Sequence, residues 1–167
     1  ADRFGVWVTG YEESQQLVDA GNELSKIAGM SKKAVLTYYD PEEHEDFDRQ
    51  FDRALSKEAL FTIKNKAGII RAVEEKLKPS GLFLITDYVV ADESVYAKDT
   101  YKQWRVGERA DPCPNTANEM KQMLKDVKLQ VRVSEDISGD YIKLINKAWA
   151  GADKVAAKLA KEENGAA

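Results

Sequence analysis

The strongest constraint on this chain is the alternation of short apolar segments with amphipathic ones. Apolar segments rich in β-forming residues cover 4–9, 33–39, 51–55, 82–90 and 129–133. Helical patterns cover 15–28, 58–77, 116–127 and 140–163, and a charged segment at 92–111 is also expected to be helical. Ser14 is expected to cap the first helix, Thr116 or Asn115 to cap the helix at 116–127 with Glu119 placed for a capping box, and 78–81 to form a turn. Strands that alternate with helices predict an α/β fold with a doubly wound, mostly parallel sheet of about five strands. We expect one domain over residues 1–167.

Composition restricts the classes of function. The chain is 43% hydrophobic and 32% charged with a net charge of −4, which favours a globular protein and argues against a general nucleic-acid binder. With one cysteine, Cys113, and one histidine, His44, neither an intrachain disulfide nor a cysteine–histidine zinc site is expected. No apolar run approaches the ~20 residues of a membrane span. We therefore expect a cytoplasmic protein, with His44 as a surface residue.

Acidic residues follow two of the predicted strands. In an open α/β sheet, ligands bind beyond the carboxyl ends of the strands. Glu12 follows the first apolar segment, where a carboxylate accepts hydrogen bonds from both hydroxyls of a ribose, or else simply favours a helix start. Asp40 precedes Pro41, where it accepts a hydrogen bond from an adenine amino group, or else begins a turn.

Further polar residues are expected at the same edge of the sheet. Ser56 and Glu58 follow the strand at 51–55, and Asp87 and Tyr88 lie near the end of the strand at 82–90. An aspartate there also serves to end strand pairing. The aromatic residues of 92–111 either cover a ligand amine by cation–π contact or pack on the sheet: Tyr96, Tyr101 and Trp104.

Four segments taken together resemble the Rossmann-like, class I S-adenosylmethionine-dependent methyltransferases. They are Val-Thr-Gly-Tyr-Glu-Glu-Ser at 8–14, Tyr-Tyr-Asp-Pro-Glu at 38–42, Phe-Asp-Arg-Ala-Leu-Ser-Lys-Glu-Ala-Leu at 51–60 and Leu-Lys-Pro-Ser-Gly-Leu-Phe-Leu-Ile-Thr-Asp-Tyr at 77–88. The resemblance covers roughly residues 4–137. It is nearest to the small-molecule branch, which includes sarcosine and phosphoethanolamine N-methyltransferases.

The resemblance implies roles for seven residues. Glu12 would bind the ribose of S-adenosylmethionine, Tyr11 would neighbour the adenine, and Asp40 would face the adenine amino group. Ser56 would lie near the methionine part of the cofactor, and Glu58, Asp87 and Tyr88 near the methyl acceptor. The implied activity is methyl transfer to a small molecule, with an amine as the expected acceptor.

The sequence also departs from this family. No segment matches the family's first strand and its glycine-rich turn, and none matches its last strand, so we expect the chain to be partial at both ends. A missing central strand would leave apolar strand edges unpaired, which predicts a homo-oligomer and weak cofactor binding. A non-catalytic association module is the alternative. A nicotinamide-dependent dehydrogenase is disfavoured, because G-x-G-x-x-G is absent.

Overall fold

The computed structural model describes residues 1–43, 46–108 and 110–159. The chain divides into two compact units, Ala1–Gln130 and Val131–Ala167, which are described separately. His44 and the end of the helix predicted at 140–163 lie outside the described residues. Within the described part, no helix has the length and apolar content needed to cross a bilayer.

In its described part, the first unit contains four strands and four α-helices. The strands are β1 Val8–Glu12, β2 Ala34–Tyr38, β3 Phe51–Lys57 and β4 Leu77–Thr86. The helices are α1 Gln15–Ile27, α2 Lys66–Lys76, α3 Asp99–Gly107 and α4 Ala117–Asp126. Short 3-10 helices occupy Asp2–Phe4, Leu60–Thr62 and Glu93–Ala97. The order along the chain is β1-α1-β2-β3-α2-β4-α3-α4, and from β1 to α3 it follows the predicted order of strands and helices.

The strands form two parallel pairs. β1 pairs with β2, from Val8 opposite Ala34 to Glu12 opposite Tyr38, and β3 pairs with β4. Among the described residues the two pairs are separate sheets, so each of the four strands has one edge without a neighbouring strand. The predicted α/β class with parallel strands is confirmed, with four described strands rather than about five.

The core of the first unit lies between the helices and one face of β3 and β4. Its buried side chains are Tyr39, Leu60, Ile69, Ile70 and Met120, against which Phe83 and Ile85 of β4 pack. The opposite face of the same strands carries exposed leucines, because side chains alternate along a strand: Leu55, Leu82 and Leu84. One face of this sheet is thus covered and the other is not.

The free edge of β2 is covered by a side chain. Asn22 of α1 accepts a hydrogen bond from Leu36 N and donates one to Leu36 O, both at 2.9 Å. The amide side chain thus takes the place of a neighbouring strand at this point, which limits edge-to-edge association there.

Two sequence predictions about strands were wrong in position or kind. The strand predicted at 4–9 begins four residues later, and Phe4 belongs to a 3-10 helix and is 75% exposed. Gly5, at φ +62, ends that helix, and Val8 N then donates to Lys33 O at 2.8 Å, which sets the register with β2. The segment 129–133 forms no strand, because no described strand pairs with it.

The helix predicted at 58–77 begins only at Lys66, where Asn65 caps its first turn. β4 begins at Leu77, before the predicted start at residue 82, and includes the predicted turn at 78–81 as a bulge. Phe51 pairs with Leu77 and Arg53 with Leu82, so several residues of β4 stand opposite one residue of β3. Ser80 has φ +64, a left-handed conformation that favours glycine.

The second unit contains two helices in its described part, α5 Ser138–Trp149 and α6 Ala152–Leu159. They replace the single long helix predicted at 140–163. Gly151 adopts φ +100 between them, a conformation that interrupts an α-helix.

Candidate functional site

The structure brings Glu12 and Asp40 to the same end of the β1–β2 pair. Glu12 is the last residue of β1, opposite Tyr38, and Tyr39 N donates to Glu12 O at 3.0 Å. Asp40 follows directly. Both side chains are half-buried. The two carboxylates therefore lie at the carboxyl ends of neighbouring parallel strands, where α/β proteins bind ligands.

Each carboxylate also has a local structural role. Glu12 Oε1 accepts a hydrogen bond from Ser14 N at 2.9 Å, and Ser14 Oγ caps α1 by accepting from Leu17 N at 3.4 Å. The predicted N-cap at Ser14 is confirmed. Asp40 Oδ1 accepts from Glu42 N at 2.8 Å, which forms a turn. Glu12 thus stabilises the start of α1 through Oε1. Its Oε2 accepts no hydrogen bond from the described residues.

Aromatic rings surround this end of the sheet. Tyr11 lies 4.8 Å from Phe47, 5.6 Å from Tyr39 and 6.1 Å from Phe51, measured between ring centroids. Phe47 and Tyr39 stack at 4.8 Å with an interplanar angle of 18°. These rings form an apolar cluster next to the two acids, with Tyr39 buried and Tyr11 and Phe47 packed against the core. The same cluster connects β1 with the segment that enters β3.

The hydroxyl of Tyr11 is held by Asp48. Tyr11 OH donates to Asp48 Oδ1 at 2.5 Å, and Asp48 also binds Arg49 at 2.9 Å. Burial, together with this hydrogen bond, raises the pKa of Tyr11 above its usual value. The hydrogen bonds from Arg49 and Tyr11 lower the pKa of Asp48. Tyr11 is therefore a neutral hydrogen-bond donor and not a base at neutral pH.

Ser56, Glu58 and Tyr88 gather at the carboxyl end of β3 and β4. Ser56 pairs with Ile85, and Glu58 N donates to Thr86 O at 2.7 Å. Tyr88 OH lies 3.4 Å from Glu58 Oε2. Glu58 has φ +50, an uncommon left-handed conformation for a residue with a side chain, and such strain is often kept at functional positions.

Asp87 faces the interior rather than the surface beside Tyr88. Burial raises the pKa of its carboxyl, against the lowering effect of the N–H groups of Tyr88, Phe61 and Leu60 and of the Lys66 charge. Asp87 Oδ2 is buried and has no hydrogen-bond partner among the described residues. The other carboxyl oxygen, Oδ1, accepts a hydrogen bond from Tyr88 N at 2.8 Å, just after the end of β4.

Lys66 is a buried lysine that the sequence analysis missed. It is 4% exposed, and its Nζ donates to Ile63 O at 2.7 Å and to Cys113 O at 2.6 Å, with Cys113 Sγ at 3.3 Å. A signal was present, since Lys66 shares the helical spacing of Ile63 and Ile70, which marks the core face. Its ammonium joins the turn after β3 to the segment around Cys113.

The aromatic residues of 92–111 join Tyr88 in a line of ring contacts. Trp104 lies 6.1 Å from Tyr88 and 5.6 Å from Tyr101, and Tyr101 lies 5.4 Å from Tyr96. Tyr96 OH donates to Pro114 O at 2.8 Å. These rings therefore pack on the chain near Pro114 and extend the aromatic surface that begins at Tyr88.

Comparison with solved structures shows which fold this arrangement belongs to. A phosphoethanolamine N-methyltransferase 2 of Haemonchus contortus, in complex with S-adenosyl-L-methionine, is 19% identical, with a TM-score of 0.79 over 98% of this chain and 37% of its own. A geranyl diphosphate methyltransferase in complex with the same cofactor is 13% identical, with a TM-score of 0.64 over 79% of this chain and 52% of its own. The chain has the class I methyltransferase fold.

The fold alone does not establish an activity. The cyclase SpnF is 22% identical, with a TM-score of 0.65 over 80% of this chain and 46% of its own. One fold thus supports different reactions. The chain spans 46% of the length of the cyclase and 37% of the length of the Haemonchus contortus methyltransferase. No protein-family model and no curated protein sequence matches it.

Proposed function

We propose that this chain takes part in methyl transfer from S-adenosylmethionine to a small amine. The observation that carries the proposal is the adjacency of Glu12 and Asp40 on neighbouring parallel strands, in a fold shared with methyltransferases. Neighbouring structures of that fold hold S-adenosylmethionine or S-adenosylhomocysteine. A purine nucleoside needs a ribose acceptor, an acceptor for its amino group and an apolar contact for its ring, and Glu12, Asp40 and Tyr11 are the residues proposed to supply them.

The proposed roles divide between the two strand pairs. Glu12 would accept from the ribose hydroxyls, Asp40 from the adenine amino group, and Tyr11 would border the adenine. At the other pair, Ser56 would lie near the methionine part, and Glu58 and Tyr88 would contact the amine. Asp87, which faces inward in the structure, would act on the acceptor only through the position of Tyr88.

The chemistry that the cofactor supplies is an activated methyl group on a positively charged sulfur. Glu58 and Tyr88 would hold the amine for transfer of this methyl group, which would leave the sulfur with its electron pair. The amine would have to be unprotonated, and the carboxylate of Glu58 would take its proton. Such a reaction depends mainly on positioning, which suits a site with no described histidine.

We further propose that this chain alone binds the cofactor weakly. Glu12 shares its carboxylate with the start of α1, and the Tyr39 ring is already stacked against Phe47. Cofactor binding would compete with both contacts. Chain segments or partners that reinforce this end of the sheet would raise the affinity.

The proposal is tested by calorimetric titration of S-adenosylhomocysteine into the chain. We expect saturable, weak binding that is lost in Glu12→Ala and kept in Glu13→Ala, because Glu13 is the exposed neighbour of Glu12. Equal binding by both variants would refute the assigned ribose contact. No heat change at millimolar ligand with the unsubstituted chain would refute cofactor binding by this chain.

A second candidate function, association without catalysis, is favoured by the unpaired strand edges. Each described strand pairs with another strand on one side only, and an unpaired strand edge tends to pair with another chain. We propose that the chain forms a homo-oligomer through such edges, in a reducing compartment such as the cytoplasm. Sedimentation across a range of concentrations would show a stable monomer if this proposal is wrong.

A further inference from the structure

The segment 129–133 has the pattern of a strand but no partner. Its apolar residues Leu129, Val131 and Val133 alternate with Gln130 and Arg132. No strand of the described structure pairs with it, and Val133 is 72% exposed. Lys128, at φ +64, turns the chain out of α4 immediately before it. Alternation of this kind is typical of a strand with one apolar face.

β4 offers an edge that matches this segment. Among the described residues β4 pairs only with β3, and its stretch 82–86 reads Leu-Phe-Leu-Ile-Thr, without a proline or a charge to discourage pairing. The free edge of β2, in contrast, is covered by Asn22. β1 is less suited, because it contains Gly10 and ends in Glu12.

Charge selects the direction of pairing. Lys128 precedes the segment and Glu135 and Asp136 follow it, while the exposed Lys78, which also pairs with Asp52, precedes the stretch 82–86. Antiparallel pairing places Lys78 near Glu135 and Asp136. Parallel pairing would bring Lys78 and Lys128 to the same end, which is unfavourable.

Side-chain alternation then gives the register. With Val131 opposite Leu84, Val133 stands opposite Leu82. Val133, Leu82 and Leu84 are exposed and Val131 is half-buried, so apolar residues meet apolar residues on one face. Leu84 is 60% exposed, and Leu55 on the same face of the neighbouring strand is 69% exposed. Apolar pairs directly opposite each other stabilise antiparallel strands.

We propose that residues 129–133 of a second copy of this chain add, antiparallel, to the edge of β4. Exchange of an identical element between two chains is a common route to dimers because each chain already encodes both partners. This inference rests on the homo-oligomer proposed above and names the segment and the edge that form it.

The test is an engineered disulfide across the proposed pair. In a Cys113→Ser background, Val131→Cys is combined with Leu84→Cys, because residues directly opposite in antiparallel strands have the Cα separation that a disulfide needs. The matched control combines Arg132→Cys with Leu84→Cys, since residue 132 would point to the other face. We expect oxidised protein to run as a covalent dimer for the first pair and as a monomer for the control.

Other outcomes contradict the inference and separate it from the proposals on which it rests. A monomer with both thiols consumed would mean that the segment closes on its own chain. Free thiols in a protein that still sediments as a dimer would mean that the dimer contact lies elsewhere on the chain. Free thiols in a protein that sediments as a monomer would refute the proposed homo-oligomer. None of these results depends on cofactor binding, which the titration with S-adenosylhomocysteine measures independently.

Discussion

Replacing Lys66 by methionine tests whether a buried ammonium holds the carboxyl end of β3 and β4 in place. Methionine keeps the length of the side chain and removes its charge and donors. The substitution takes hydrogen bonds away from Ile63 O and Cys113 O, at 2.7 and 2.6 Å, and removes the positive charge that acts on Asp87. Two carbonyl groups in a part-buried site then lose their charged donor.

The expected magnitude follows from opposing effects. A hydrogen bond to a charged group contributes roughly 1.5–3 kcal/mol, so two such bonds amount to about 3–6 kcal/mol. Removing a buried charge also removes its desolvation cost, which offsets part of this loss. We therefore expect Lys66→Met to lower the free energy of unfolding by about 2–4 kcal/mol. The cost of leaving two part-buried carbonyl groups without a donor exceeds the desolvation cost that is recovered when the ammonium is removed.

Urea denaturation followed by circular dichroism measures this change, and thermal unfolding should show a fall in Tm of roughly 10 °C. The control is Lys64→Met, because Lys64 is exposed and two residues away, and surface substitutions of this kind stay within about 0.5 kcal/mol. If Lys66→Met were as stable as Lys64→Met, the desolvation cost of the Lys66 ammonium would equal the free energy of its hydrogen bonds. Lys66 would then contribute nothing to the stability of the carboxyl end of β3 and β4.

Two further predictions concern polar groups at the strands. Asn22→Ala leaves Leu36 N and O without their side-chain partner and should cost about 1–2 kcal/mol in urea denaturation, with the exposed Asn118→Ala as a control that changes little. Burial raises the pKa of Asp87 in the folded state, so its contribution to stability is full at acid pH and is lost as pH rises through that pKa. The stability of Asp87→Asn relative to the unsubstituted chain should therefore improve from acid to neutral pH; a difference independent of pH would contradict the burial of this carboxyl.

Local signals predicted much of the first unit. The cap at Ser14 and the capping box of Thr116 and Glu119 are present as predicted, with Glu119 N donating to Thr116 Oγ at 3.2 Å and Thr116 N donating to Glu119 Oε2 at 2.6 Å. These motifs involve residues three positions apart, so they can be predicted from the local sequence alone. The placement of Glu12 and Asp40 also followed from sequence, because both come directly after apolar segments that pair in parallel.

Features that depend on residues distant in the sequence were harder to predict. The apolar residues before Val8 read as a buried strand, but a strand needs a neighbour on its edge, and pairing with β2 begins only at Val8. The same reason explains residues 129–133, whose alternation is present without a pairing partner in the described chain. Lys66 was overlooked because a lysine in a helix is normally solvated, and only its carbonyl partners on distant residues justify its burial.

The distribution of buried residues has a consequence for the proposed cofactor site. Four of the five residues of the buried cluster lie on the turn after β3, on α2 and on α4, and only Tyr39 comes from the segment that carries Glu12 and Asp40. On α1 a single residue, Val18, is buried. Regions with few buried apolar contacts open locally before the whole domain unfolds. The β1–β2 pair should therefore exchange its amide hydrogens faster than β3 and β4, and a ligand that binds Glu12 and Asp40 should slow that exchange selectively. Such a ligand would stabilise the weaker part of the unit, and the increase in protection at β1 would report binding even where its heat is too small to detect.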